Sequence, residues 1–283
     1  ETIRSALGQT HRDLRVIVAD DCSTDGTVAA AAGIGDPRLA IERNRENLGL
    51  GRTILSVLDR VETPYLALLN SDDLYHPGRI EACLEALAER PGAAVAVTDL
   101  LLVDREGGVI DQGNTCRVDL GPTVHDLVRW YEEEIRGAAD GTGRTSLEGL
   151  IDQNHFLTSS NLVCTTDFWR EMAPLFEPLE YTVDWLFFLE AAKSDRLLYV
   201  DRPLLAYRLH EANTMWFDRS TRPRYVLEVN RLLAGFLGRL ARERELDPER
   251  AEWLARLVRD HVARHRETDG WVFFLQSQGV PGP

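Results

Sequence analysis

The chain has 283 residues, 44% hydrophobic and 28% charged, a balance that suits one large α/β domain with a substantial core, with or without a small helical addition. Its 46 acidic against 32 basic side chains leave a net charge of −14, which argues against a nucleic-acid surface and against unaided docking on anionic lipid. No apolar run approaches the roughly 20 residues that span a bilayer. The four cysteines, Cys22, Cys83, Cys116 and Cys164, contain no C-x-x-C pair, so zinc and redox motifs are unsupported and reduced thiols are expected.

In chain order, helical patterns at 2–9, 24–33, 49–61 and 77–90 alternate with strand-like ones at 14–19, 39–42, 64–70 and 93–98. Alternation of this kind predicts βαβ units and a mixed, mainly parallel sheet flanked by helices. Ser23 or Thr24 is expected to cap the second helix. The helix at 77–90 opens near Pro77 and closes before Pro91-Gly92. Residues 101–110 read as a hairpin turning at Glu106-Gly107-Gly108. The span 112–157 is rich in Gly and Asp around a helix near 123–136, and 137–143 reads as a mobile loop of the kind that covers active sites. A helix at 183–193, a strand at 196–200 and a segment at 204–209 follow. Beyond about Ser220, two amphipathic stretches, 221–244 and 248–266, flank Asp247-Pro248. They read as a helical hairpin packing on the catalytic domain or on another subunit.

The segment richest in chemistry runs from Tyr65 to Arg79. Its apolar start delivers Asn70, Ser71, Asp72 and Asp73 to a strand's carboxyl end, where α/β sheets bind ligands. Adjacent carboxylates repel unless a positive charge sits between them, and Mg²⁺ is usually held by one or two carboxylates plus phosphate oxygens. Taken alone, the pair fits helix capping better. The segment Arg15 to Thr27 repeats the grammar, with Asp20 and Asp21 ending a β-branched strand.

With Ser5-Ala-Leu-Gly-Gln-Thr10, Glu46-Asn-Leu-Gly49 and Asn70-Ser-Asp-Asp73 in the same order and spacing, residues 1 to 80 resemble the family 2 glycosyltransferases of GT-A fold. A second block, Ser159-Ser-Asn-Leu-Val163, Val183-Asp-Trp-Leu-Phe-Phe-Leu189 and Tyr207-Arg-Leu-His210, resembles that family's acceptor half. The resemblance implies a GT-A domain over 1–215, with a nucleotide-sugar half at 1–100 and an acceptor half at 101–215. A helical C-terminal extension would occupy 216–283. It also implies an inverting, metal-dependent transferase moving a sugar from a nucleotide donor, most often UDP-linked, to a hydroxyl of a glycan or glycolipid. The setting it implies is surface-polysaccharide or cell-envelope assembly, in the cytoplasm or at the inner face of the membrane.

By the same resemblance, Asp20, Asp21 and Asn47 lie beside the nucleotide, and Asp72, supported by Asp73, holds Mg²⁺ or Mn²⁺ on the diphosphate. His210 completes the metal shell, and Asp184 is the general base. Glu180 is its substitute, one helical turn earlier. Arg52 and Arg79 are phosphate candidates by position, although a solvated helix residue is the commoner role for each. Trp185, Phe187 and Phe188 read as core, with Trp185 a candidate sugar-stacking face. Two departures stand out. The family's opening strand and its P-x-x-N turn are absent before Glu1, which points to a longer parent, and Asn70 replaces the first aspartate of D-x-D. Two other readings compete: a nucleotidyltransferase on a similar sheet, and a catalytically silent fold kept for sugar binding or assembly.

Overall fold

The structure, a computed structural model, describes residues 1–111, 145–175, 179–211, 213 and 221–243, with positions 128, 131, 252, 253 and 256. Helix α1 (Thr2–Leu7) is followed by β1 (Val16–Asp20), α2 (Thr27–Ala32) and β2 (Leu39–Arg43). Val16, Ile17 and Val18 suit a half-buried strand, and β1 pairs with β2 in parallel over five residue pairs. Neither Ser23 nor Thr24 caps α2. The Asp25 carboxylate instead accepts the Thr27 N–H at 2.9 Å, closing a turn that moves the helix start to Thr27.

Helix α3 (Leu50–Leu58) begins after Gly49, whose φ of 78° is a left-handed conformation that glycine adopts without a Cβ penalty. Then come β3 (Tyr65–Ala67), β4 (Leu74–Tyr75), α4 (Arg79–Glu89) and β5 (Val95–Val103). After β5 the chain turns at Gly107, with the Asp104 N–H donating to the Gly108 carbonyl at 2.8 Å, as the hairpin reading expects. The second half holds α5 (Leu147–Asp152), a 3-10 turn (Ser159–Asn161), β6 (Val163–Thr165) and α6 (Thr166–Met172). It continues with α7 (Val183–Lys193), β7 (Leu197–Arg208) and α8 (Thr221–Glu243).

Strands β3-β6-β5-β7-β4 form one sheet in that order, separate from β1-β2. The longest pairing in it, β5 with β7 over nine residue pairs, is parallel, while β3–β6, β5–β6 and β4–β7 are short and antiparallel. The parallel character expected from the sequence therefore holds by extent, within a mixed sheet. Two expected segments, 196–200 and 204–209, prove to be the single strand β7. Its register against β5 slips where Asp99 meets Pro203, a residue with no N–H to give to a ladder.

Helix α7 is apolar nearly all round, and its sequence demands burial on every side. Trp185, Leu186, Phe187, Phe188, Leu189 and Ala191 are all buried between the sheet and α8. From α8, Leu232, Leu233, Phe236, Leu237 and Leu240 join the same core, each large apolar side chain contributing about 1.5–3 kcal/mol by its burial. Arg239 of α8 also meets Glu190 of α7 at 2.8 Å. Over its described length, then, the C-terminal extension is part of the main core. The expected helix near 123–136 (apart from Val128 and Tyr131), the loop 137–143, Cys116 and most of 248–266 lie outside the described residues. No helix among the described residues is long and apolar enough to cross a membrane.

Candidate active site

The loop after β3 is built by a polar scaffold that the Ser159–Asn161 turn supplies. Asn70 donates its backbone N–H to Ser160 Oγ (2.9 Å) and its side-chain amide to Thr158 Oγ1 (3.0 Å), and its Oδ1 accepts from Ser159 Oγ (2.8 Å). An aspartate could not donate to Thr158, so asparagine at position 70 matches a site that asks for both a donor and an acceptor. Asp73, expected beside Asp72 at the cation, faces inward and is fully buried. Its oxygens accept from Ser160 Oγ (2.5 Å), Thr158 Oγ1 (3.3 Å) and the Arg208 N–H (3.1 Å). Burial and the neighbouring Asp72 charge push its pKa up to about 7.

The segment Ser5–Thr10 serves this loop from the other side. Gln9, fully buried, donates to the carbonyls of Ser5 (3.0 Å) and His76 (2.9 Å) and accepts the Ile80 N–H (3.0 Å). Ser5 Oγ accepts the Tyr75 N–H at 3.1 Å. The motif thus pins α1 to β4 and to the start of α4, on either side of the turn that follows Asp72.

Asp72 itself stays partly open, its side chain 31% exposed, and its Oδ2 lies 3.1 Å from His210 Nε2 and 3.4 Å from Asn213 Nδ2. The two expected metal residues are therefore brought together. Arg208, 8% exposed, anchors this end of β7: Nε donates to the Asp72 carbonyl (2.9 Å), Nη1 to the Asp104 carbonyl (3.2 Å) and Nη2 to Glu1 Oε2 (3.0 Å). Among the described residues no group of three or more His, Cys, Asp or Glu side chains is arranged to hold a metal ion. One carboxylate and one imidazole suit a cation whose remaining ligands are phosphate oxygens and water.

At the carboxyl ends of β1 and β2, Asp20 is 4% exposed; its Oδ2 accepts the Ser23 N–H (3.2 Å) and pairs with Arg43 Nε (3.2 Å). Asp21 accepts from the backbone of Leu48 (2.8 Å) and Gly49 (2.8 Å) and from Asn44 Nδ2 (3.0 Å). Burial would raise its pKa, but donors from Leu48, Asn44, Thr53 and Gly49 outweigh that and hold the carboxyl below the usual aspartate range. Asp21 thus fastens the loop that carries Asn47, which is exposed at its tip.

Asp184 sits in the first turn of α7, 8% exposed, with Oδ1 accepting the Trp185 N–H at 2.6 Å. Burial raises its pKa to about 6, against the lowering effects of the Trp185 N–H and the Asn154 side chain. Buried Tyr207 links the two acidic regions: burial raises its phenol above the ordinary tyrosine range, and the charges of Asp73, Asp72 and Asp184 raise it further.

Several expectations change. Glu180 lies outside α7 and is exposed, so it does not stand one turn below Asp184 on a shared helix. Trp185 is 6% exposed and donates its indole N–H to the Leu150 carbonyl (2.6 Å), which makes it core with no free face for a sugar. Arg52 is exposed on α3. Arg79 is neither a surface residue nor a phosphate partner. It is fully buried, donates to Thr98 Oγ1, to the Asn161 carbonyl (2.9 Å) and to Asn161 Oδ1 (3.0 Å), and its guanidinium lies 4.9 Å from the centre of the Tyr75 ring. Sequence reasoning missed Asn213, Tyr207 and Arg208 as members of the site. The last two had a signal, since they stand in the Tyr207–His210 motif; Asn213 had none.

Residues 1–113 match the model of a family described as Glycosyl transferase family 2. The succinoglycan biosynthesis protein ExoO of Rhizobium meliloti is 38% identical over 108 residues, which are 37% of this chain and 30% of that protein. The putative teichuronic acid biosynthesis glycosyltransferase TuaG of Bacillus subtilis is 32% identical over 114 residues, 40% of this chain and 45% of its own length. The matches therefore span less than half of either relative. Among solved structures, S. aureus TarS residues 1–349 in complex with UDP superposes with a TM-score of 0.58 at 18% identity, covering 98% of this chain and 72% of that one. That likeness bears on the fold, and it agrees with the GT-A-type architecture expected from the sequence.

Proposed function

We propose that the chain, whose residues 1–113 match the model of glycosyl transferase family 2, is an inverting, metal-assisted glycosyltransferase. In this reading it moves a sugar from a nucleotide-sugar, UDP-linked as in the UDP complex of TarS, to a hydroxyl of a glycan or glycolipid acceptor. The names of ExoO and TuaG support a place in cell-envelope polysaccharide synthesis, which in this reading takes place at the cytoplasmic face of the membrane. The observation that carries the reading is the strand-end cluster in which Asp72 Oδ2 lies 3.1 Å from His210 Nε2 and 3.4 Å from Asn213 Nδ2.

The roles follow from the environments of the residues. Asp72, partly exposed and held by His210 and Asn213, would meet the donor's diphosphate. Asp72 and His210 would hold Mg²⁺ or Mn²⁺, which when bound neutralises the charge developing on the leaving nucleoside diphosphate. Asp21 fixes the Asn47 loop beside the nucleotide, with Asp20 setting the strand end next to it. Asp184, with its pKa raised to about 6, is ionised at neutral pH yet basic enough to take a proton. It would accept the acceptor hydroxyl's proton as that oxygen attacks the anomeric carbon and the bond to the diphosphate breaks.

A UDP titration with and without Mn²⁺, repeated on Asp72→Asn, tests the reading. Manganese is expected to tighten UDP binding to the unaltered chain at least about tenfold and to leave the variant unaffected. Equal affinity with and without manganese in the unaltered chain would refute metal-assisted donor binding.

A further inference from the structure

Helix α7 carries Asp184 in its first turn, yet it lacks a cap of its own: Thr182 occupies the N-cap position without accepting a side-chain capping bond. The cap arrives from α8. Glu228 Oε1 accepts the backbone N–H groups of Tyr181 (2.7 Å) and Thr182 (2.7 Å) and the Thr182 hydroxyl (2.9 Å), while Oε2 accepts the Glu180 N–H (2.9 Å). One carboxylate thus satisfies three backbone donors where the helix dipole favours negative charge. The same helix brings Tyr225, whose ring meets Tyr181 edge-on at 6.3 Å. Burial raises the Tyr225 phenol, and the charges of Asp184 and Glu228 add to that.

We propose that Glu228 is a positioning residue for Asp184: by clamping residues 180–182 it fixes the first turn of α7 and so aims the Asp184 carboxylate. This rests on the reading of Asp184 as the general base. Among the described residues, the following groups act on Asp184 or share its electrostatics. Asn154 precedes the 3-10 turn, Trp185 offers its N–H on α7, Tyr207 comes from β7, and Tyr225 and Glu228 come from α8. Burial is the main reason that the Asp184 proton is hard to lose, and Glu228, the anionic member of this group, adds to it.

A plain structural cap and a positioning residue differ in what they do to Asp184. The whole chain is therefore compared with Glu228→Ala, Glu228→Gln and Asp184→Asn in two measurements. One follows aspartate carboxyl carbon-13 resonances from about pH 4 to about pH 8, with Asp184→Asn identifying the Asp184 signal. The other measures UDP release from a panel of UDP-sugars, alongside UDP affinity. Glu228→Gln is expected to lower the Asp184 midpoint below its value of about 6. Glu228→Ala is expected to slow turnover at least about tenfold with UDP affinity unchanged, and glutamine, whose carbonyl still accepts, to restore part of the loss.

An unmoved midpoint in Glu228→Gln, or full turnover in Glu228→Ala, overturns the proposal. Should the alanine variant fail to fold, the glutamine variant decides through its midpoint. Full turnover in Asp184→Asn removes the base reading and the positioning role with it. Loss of turnover there with full turnover in Glu228→Ala leaves the base standing and removes Glu228 alone.

Discussion

Asp72 and Asp184 are both aspartates near one tyrosine, yet they are held in opposite ways. Asp72 is partly open, fixed by an imidazole, an amide and a loop that Gln9, Asn70 and Arg208 pin down. Asp184 is buried at the end of an apolar helix, and desolvation rather than a neighbouring charge dominates its proton affinity. The contrast teaches that one fold can set the task of a carboxylate by burial alone. In the proposed reading the open aspartate would hold a cation, whereas the covered one binds a proton more tightly because burial disfavours its charged form.

The sharpest way to break this comparison is Asp184→Asn. Turnover of a UDP-sugar should fall by about 10²–10⁴, the contribution of a general base, while UDP affinity stays as it was. Full turnover would show that burial at position 184 serves stability only. Next in size comes the core that α7 shares with α8. Phe236→Ala, removing a fully buried ring of α8 from the shared core, should destabilise the chain by about 3–5 kcal/mol in urea unfolding. An appendage resting on the surface would lose far less, so a cost under about 1 kcal/mol would contradict the integrated core. The smallest effect is in pH. With the folded pKa of Asp184 raised to about 6 from 3.8, the ionised base is lost as pH falls through about 6, and turnover should fall with it. The same shift means that the Asp184 contribution to stability is present in full below about pH 4 and is lost as pH rises through about 6. Asp184→Asn should therefore remove that part of the pH dependence of unfolding.

The strands and helices of the first hundred residues were legible because β-branched runs alternate there with amphipathic ones. Their boundaries moved where a side chain overrode propensity, as Asp25 does at the start of α2. The acidic pairs were legible as a strand-end pattern, but pattern alone could not say which member faces outward. At 20–21 and 72–73 the answer depends on groups distant in the chain: Leu48 and Gly49 for Asp21, Ser160 and Arg208 for Asp73. Arg79 escaped for a related reason. Arginine is rarely buried, and nothing near it in sequence announces the carbonyl and amide of Asn161 that accept its charge. Glu228 was invisible for the same cause, since it caps a helix 46 residues earlier in the chain.

The central claim is that the cation-bearing and proton-accepting aspartates serve one bound donor. A crystal structure of the chain soaked with UDP and Mn²⁺ tests it most directly, through the anomalous signal of manganese. The account predicts that signal against the Asp72 carboxylate and His210, with the diphosphate lying between it and the Tyr207–Asp184 side. Manganese and UDP seated on a surface away from Asp72, or a diphosphate with Asp184 turned from it behind the core, would contradict it.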